Sequence, residues 1–411
     1  MTRRNGWIVV GTLLLVMTVI HGVITAGLPV LDKAILKELG ISRGDLKFRE
    51  TIFLMSSGLS GLAIGFVTTR IAPRYVVLAG LALLSVALTA YSHASSIGQI
   101  YALYVLLGLS YACAHVVVVV LMIRESFDTR RTLATSIALS GTSLGAAIFP
   151  NVTVLALKTM DWRAALHSLA ILPLVILPIA AFLLLRRSAP STPARGKTDA
   201  PDAAASSVAA AGRGPVAITL LAVATFGTFF ASTSFLLNLF LYMQDLGGSP
   251  QTAAAGLSTV FVVGLFGKAL VGLAAERWGV PVVWRSQQAV LLAGAVLLTA
   301  GFTPALFPAL ALIGLGWAGC YVLTQVVIAD FFAGPNLSRM TGLFIVFEAI
   351  SSGAGVWSAG AIFDAAGSYR PAFVLNCGLI VIALLAGWLA TRRPPQRLPQ
   401  PHLPPSPVRS R

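Results

Sequence analysis

"RRSAPSTPARGKTDAPDAAASSVAAAGRG", Arg186 to Gly214, interrupts a chain that is otherwise built of long apolar runs. The stretch is rich in Ala, Ser, Pro and Gly and has no apolar period, so it reads as a flexible linker. Working outward from it, six runs precede it, at Trp7–Leu28, Phe48–Thr69, Pro73–Ser92, Gly98–Met122, Arg131–Leu157 and Ala165–Leu185. Six more follow, at Pro215–Met243, Thr252–Ala275, Val282–Phe302, Ala305–Asp330, Arg339–Phe363 and Tyr369–Thr391. Each reaches the roughly 20 apolar residues that cross a bilayer as a helix. The 411 residues are 57% hydrophobic and 10% charged, with mean hydropathy +0.86, whereas a soluble domain carries about 25% charged residues. The expected fold is therefore all-α and membrane-embedded: twelve transmembrane helices in two pseudo-symmetric bundles of six. Residues 1–185 form the first bundle, 186–214 the linker, 215–391 the second bundle and 392–411 a disordered tail.

The net charge of +15, from 29 basic and 14 acidic residues, suggests nucleic acid as a partner until the charges are placed. Most of the arginines fall in segments on one side, among them Arg3, Arg4, Arg70, Arg74, Arg124, Arg130, Arg131, Arg277, Arg285 and those of the linker and tail. A smaller set, Lys33, Lys37, Arg43, Lys47, Arg49, Lys158, Arg163 and Arg370, reads as turns on the other side. The positive-inside rule then puts both termini in the cytoplasm and makes the basic excess a topology signal, not a nucleic-acid footprint. The first run has no small-residue cleavage site and is expected to stay as a span. Compact loops without appended domains point to a bacterial inner membrane, and a monomer is expected.

Cys113, Cys320 and Cys377 all lie in apolar runs, where scattered thiols pack and do not form a disulfide framework. There is no G-x-x-x-x-G-K-[ST] loop for nucleotide hydrolysis and no His/Cys/carboxylate cluster at metal spacing. No enzyme, cofactor or metal is expected.

The two halves echo each other after their second spans. "GFVTTRIAPR", Gly65 to Arg74, and "GLAAERWGVP", Gly272 to Pro281, each set a glycine before an arginine in the following turn, the trace of an internal repeat. These turns resemble the major facilitator superfamily's G-x-L-x-D-R-x-G-x-R. Thr69 and Ala72 depart from the pattern in the first copy, and Glu276, Arg277 and Gly279 keep it better in the second. "NGWIVV" (Asn5–Val10), "FDTRRTLATSIALSGTSLGAAIFP" (Phe127–Pro150) and "GAIFDAAGSYRPAF" (Gly360–Phe373) are similar to signatures of its monocarboxylate-porter and oxalate/formate-antiporter branch. The resemblance implies a secondary transporter whose bundles rock about a central site. It also implies gating by Arg70, Arg74, Arg130, Arg131, Glu276 and Arg277, and a small organic anion as cargo, moved with a proton or against a second anion. An exporter of amphipathic or cationic drugs is the alternative.

Within the spans, Lys268 is the outlier. A mid-span lysine costs about 2.5–3.5 kcal/mol on insertion scales and is tied to a cavity or a partner. It lies about 13 Å along the helix from Arg277, too deep to snorkel easily. The resemblance aligns it with the branch's carboxylate-holding cation, though Gly264 stands where animal members have an aspartate. Two readings stay open: Lys268 holds the substrate anion, or it pairs permanently with Glu348 of the eleventh span. Glu348 is also the candidate for proton coupling. Tyr101, Tyr104, Gly108, Tyr111 and His115 recur at steps of three and four, one helical face. Thr18, His21 and Thr25 repeat that pattern in the first span. His21, Tyr111, His115, Asn238, Tyr321 and Gln325 are candidates for orienting a ligand by hydrogen bonds. Tyr242 shares the seventh span with Asn238, and Gly141, Gly145, Pro150, Gly353, Gly355 and Gly360 are expected at packing and hinge positions.

Overall fold

The computed structural model describes residues 3–114, 116–127, 130–185, 215–301, 303–332 and 337–392. Linker residues 186–214, tail residues 393–411 and His115 lie outside the described residues. Twelve helical units are long and apolar enough to cross a membrane. They are α1 (Gly6–Leu39), α2 (Arg43–Val67), α3 (Pro73–Ser92), α4 (Ile97–Ser126), α5 (Leu133–Ala156) and α6 (Trp162–Leu185), then α7 (Pro215–Asp245), α8 (Pro250–Trp278), α9 (Val280–Ala300), α10 (Leu306–Phe331), α11 (Arg339–Ala366) and α12 (Arg370–Arg392). Successive turns alternate between two faces, here called the Arg43 face and the Arg70 face.

The first unit is not one regular helix. After Gly22 it passes through a π turn, Val23–Gly27, and a 3-10 turn, Leu28–Leu31, before α-geometry resumes at Asp32. Pro29 has no N–H to give the ladder, which accounts for the tightened turn. The break sets Asp32 in the interior, fully buried.

Helix pairing repeats between the halves. In the first, α1 packs on α5, α2 on α4 and α3 on both α4 and α6; in the second, α7 packs on α11, α8 on α10 and α9 on both α10 and α12. The bundles meet through α2 against α11 and α5 against α8, pairs that exchange when first-half helices are renumbered into the second half. Glycines make the α1–α5 and α7–α11 seams possible, because a side chain on Gly145 would overlap the carbonyl of Thr18 and one on Gly355 that of Phe230. In lipid such close approach is the main source of helix attraction. We expect Gly145→Leu to give little folded protein, at a cost of at least about 1–3 kcal/mol from overpacking. Gly61→Ala, which meets nothing within 4 Å, should unfold at the wild-type temperature in detergent, so equal melting of both variants would refute the seam.

Candidate functional site

The Arg43 face is sealed by charge. Arg43 makes a two-pronged ion pair with Asp245, at 2.5 and 2.8 Å, and lies 3.6 Å over the Phe363 ring. The backbone N–H groups of Arg43 and Gly44 both donate to the Asp364 carboxylate, at 2.9 and 2.6 Å. These contacts bind the first turn of α2 to the ends of α7 and α11. Deeper, Thr51 Oγ1 donates to the Gly353 carbonyl at 2.8 Å, and Asn151 Nδ2 donates to Ser258 Oγ at 2.8 Å.

Beneath this seal lies a cluster absent from the sequence-based expectations, which put Arg43, Lys47 and Arg49 in an exposed turn. The structure corrects that: α2 begins at Arg43, and Asp32, Lys47, Arg49 and Glu50 are all buried. Asp32 receives Lys47 Nζ at 2.7 Å on one oxygen and Arg49 Nη2 on the other. Arg49 Nε donates to Glu50 at 3.2 Å and Nη1 to the Tyr91 hydroxyl at 2.8 Å. Lys47 Nζ also donates to the Leu237 carbonyl of α7, which ties the cluster across the bundle boundary. Two cations and two anions balance, the condition under which buried charge is tolerated. The equal and opposite charges at 32, 47, 49 and 50 were visible in the sequence, but nothing there said that the first span breaks and turns Asp32 inward.

At mid-depth the polar groups gather between the bundles. Lys268 of α8 donates to Ser143 Oγ of α5 at 3.0 Å, and its ammonium lies 5.5 and 5.9 Å from the ring centroids of Trp317 and Tyr321 of α10. Glu348 of α11 is buried, and both its oxygens receive the Gln325 amide, at 2.9 and 3.0 Å. No ion pair joins Lys268 to Glu348. Of the two open readings, the permanent Lys268–Glu348 pair is therefore absent in this conformation, where Ser143 and Gln325 engage the two groups separately. Tyr321, 37% exposed, lies beside Trp317 and Phe229 and within electrostatic reach of Glu348 and Tyr111. On the first bundle His21 Nδ1 and the Tyr111 hydroxyl share a hydrogen bond of 2.9 Å, with Phe53 edge-on to Tyr111.

Other candidates go elsewhere. Asn238 is fully buried, donates to the Ser234 and Val356 carbonyls and accepts from Tyr369, so packing within its bundle saturates its amide. Tyr242 donates to the Leu298 carbonyl at 2.9 Å. Both fasten α7 to its neighbours, and Asn238 leaves the ligand-orienting set. Tyr104 is fully buried against Tyr91 and Arg49, below the cleft. On the Arg70 face, Arg70, Arg130, Arg131, Glu276 and Arg277 are exposed, and among the described residues none of them, nor Arg74, forms an ion pair. Every hydrogen bond that joins the bundles among the described residues lies between the Arg43 face and Lys268. The Lys268–Ser143 bond is the last of them, about 15 Å from the Arg70-face end of α8. Among the described residues the hydrogen bonds between the bundles thus latch the Arg43 face. Ser143 and Trp317 escaped the sequence reading, although Trp317, Tyr321 and Gln325, four apart, share one face of α10.

Two repeat-related bundles, latched at one face above polar groups buried at mid-depth, define a membrane transport protein and not an enzyme. The chain belongs to the Major Facilitator Superfamily, whose family profile matches residues 13–323 and again 220–410. The fold is similar to that of the nucleoside transporter NupG, with TM-score 0.74 and 12% identity over 93% of this chain and 100% of that one. Two curated relatives share local segments: magnetosome protein MamZ of Magnetospirillum gryphiswaldense, 34% identical over 80 residues, and protein spinster homolog 1 of Homo sapiens, 33% identical over 96 residues. Those segments are 20% and 23% of this chain, and cover 12% and 18% of the relatives' lengths.

Proposed function

We propose that the protein is a secondary active transporter that moves a small organic anion, a monocarboxylate, by alternating access, coupled to protons or to exchange for another anion. The observation that carries this reading is Lys268: a mid-membrane cation whose hydrogen-bond partner is a neutral hydroxyl. An ammonium desolvated in that way binds an anion more strongly than it would in water. Trp317 and Tyr321 wall the site with rings that tolerate the cation and pack against an aliphatic or aromatic tail. The His21–Tyr111 pair and the Gln325–Glu348 pair supply further polar groups between the bundles.

Glu348 fits the proton-coupling role because its partner is an amide. The Gln325 amide donates to the ionised carboxylate and, turned over, accepts from the protonated one, so both states are accommodated. Substrate bound at Lys268 and a proton bound at Glu348 then act on one cleft. In this reading the chain sits in a bacterial inner membrane with both termini cytoplasmic and works as a monomer, with the bundles at 1–185 and 215–391 rocking about the central site. Arg70, Arg74, Arg130, Arg131, Glu276 and Arg277 would close the Arg70 face in the opposite state.

The deciding experiment is uptake of labelled mono- and dicarboxylates into proteoliposomes with and without an imposed pH gradient. Glu348→Gln should keep substrate binding and counterflow but lose acceleration by the gradient; an undiminished gradient response would remove Glu348 from coupling. One observation favours a second reading: among the described residues Glu348 has no basic partner, so a cationic amphipath could find its counter-charge there. Competition separates the two, because carboxylates should inhibit the first transporter and organic cations the second.

A further inference from the structure

At the Arg43 face, away from the central cleft, a cavity of about 350 Å³ opens along the seam between the bundles. One side is formed by Val30, Lys33, Ala34 and Lys37 of α1 with Val154, Leu157 and Lys158 at the end of α5; the other by Phe240, Gln244, Pro250 and Gln251 around the α7–α8 turn. Three of its residues are lysines and none is acidic. Among the described residues none of the three lysines makes an ion pair, whereas Glu38 and Asp245 are already held by Arg163 and Arg43.

Two more features of the lining suit a negative group. The α8 helix starts here, and Ser249 caps the Thr252 N–H. Pro250 has no N–H and the Gln251 N–H precedes the first intrahelical bond, which leaves an open donor at the positive end of a 29-residue helix. The Gln244 side chain, meanwhile, keeps its Oε1 position buried with no hydrogen-bond partner. Amide nitrogen and oxygen exchange places on a flip, so that position serves equally as a donor to an oxyanion. The remainder of the lining, Val30, Ala34, Val154, Leu157 and Phe240, is apolar. Cations at the rim and an apolar floor, at the end of the spans, match the boundary where phosphate headgroups give way to acyl chains.

We propose that this seam is a binding site for a phosphate oxyanion, supplied by the headgroup of an anionic phospholipid, that braces the two bundles in the conformation closed at the Arg43 face. The lysines belong to the first bundle and the α8 terminus to the second, so one occupant spans both. A ligand that binds only the closed arrangement stabilises it by mass action. The inference does not depend on which solute the central cleft carries.

The test is native mass spectrometry of the full-length protein titrated with phosphatidylglycerol, phosphatidylcholine and inorganic phosphate, alongside thermal unfolding in detergent. Phosphatidylglycerol should be retained over phosphatidylcholine and should raise the unfolding temperature. K33Q/K37Q/K158Q, three exposed positions that leave folding intact, should weaken that binding about a hundredfold. Arg370→Gln, an exposed cation on the same face outside the cavity, should leave it unchanged. Retention of inorganic phosphate with loss in the triple variant would assign the same site to a soluble phosphate. Equal retention of both lipids, or phosphatidylglycerol binding unchanged by the triple variant, would overturn the proposal.

Discussion

Uptake of a monocarboxylate should collapse in Lys268→Ala and return in part in Lys268→Arg. The ammonium is the one cation at mid-depth between the bundles among the described residues, and its hydrogen-bond partner is Ser143 Oγ. A hydrogen bond to a charged group contributes about 1.5–3 kcal/mol, and about 2 kcal/mol corresponds to a roughly thirtyfold rise in KM. Alanine removes the charge and opens a void beside Trp317 and Tyr321, so at limiting substrate the loss should reach at least that factor. Arginine restores charge but not shape, because its planar fork is longer than the compact ammonium that Ser143 holds. Ser143→Ala separates the roles of the pair. It removes a link between α5 and α8 while leaving the cation, so it should change the rate of the conformational cycle and leave inhibition by non-transported carboxylates nearly intact. Wild-type uptake in folded Lys268→Ala protein would make the lysine structural and move the argument to Glu348 and cationic cargo.

Asp32→Ala should strongly destabilise the first bundle. It leaves Lys47 and Arg49 buried with Glu50 as the remaining acid, and removing one partner of a buried ion pair costs about 3–5 kcal/mol. The measurement is thermal unfolding in detergent, with Asp32→Asn as the near-isosteric companion that removes charge without volume. Adding Arg49→Met to Asp32→Asn should recover much of the loss, since the double change removes one charge of each sign, and a double-mutant cycle isolates that coupling. Lys47→Met has a second expected effect. It cuts the bond to the Leu237 carbonyl and should increase labelling of cysteines introduced along the α2–α11 seam near the Arg43 face. An unchanged unfolding temperature in Asp32→Ala would mean that water already reaches the cluster.

The turn residues Arg43, Lys47 and Arg49 show where one-dimensional reading stops. Hydropathy counts a charge as a boundary marker, and by that rule the second span begins at Phe48. In the folded chain it begins at Arg43, because Asp32, Asp245, Asp364 and Glu50 supply the partners that let the charges go inside. Those partners lie as many as 321 positions away, and no local window contains them. Lys268 carries the same lesson in reverse. Its depth and exceptional character were legible from the flanking apolar run, but the sequence left open whether its partner was a substrate anion or Glu348, and the folded chain sets Ser143, 125 residues distant, beside it.

The sequence by itself determined the medium, the number of spans and their division into two related halves, because the hydrophobic effect and backbone hydrogen bonding in lipid act on each 20-residue segment almost independently of the rest. It also singled out Lys268, Glu348, His21, Tyr111, Tyr321 and Gln325, since polar groups inside apolar runs announce themselves. Only the tertiary structure decided which of those groups face one another, that Asn238 is consumed by packing, that charge seals the Arg43 face, and that three lysines share a seam with a helix terminus. Those outcomes depend on the rotation and register of helices from opposite ends of the chain. Glycine contacts such as Gly145 on Thr18 and Gly355 on Phe230 fix both, and steric fit of that kind has no signature in hydropathy.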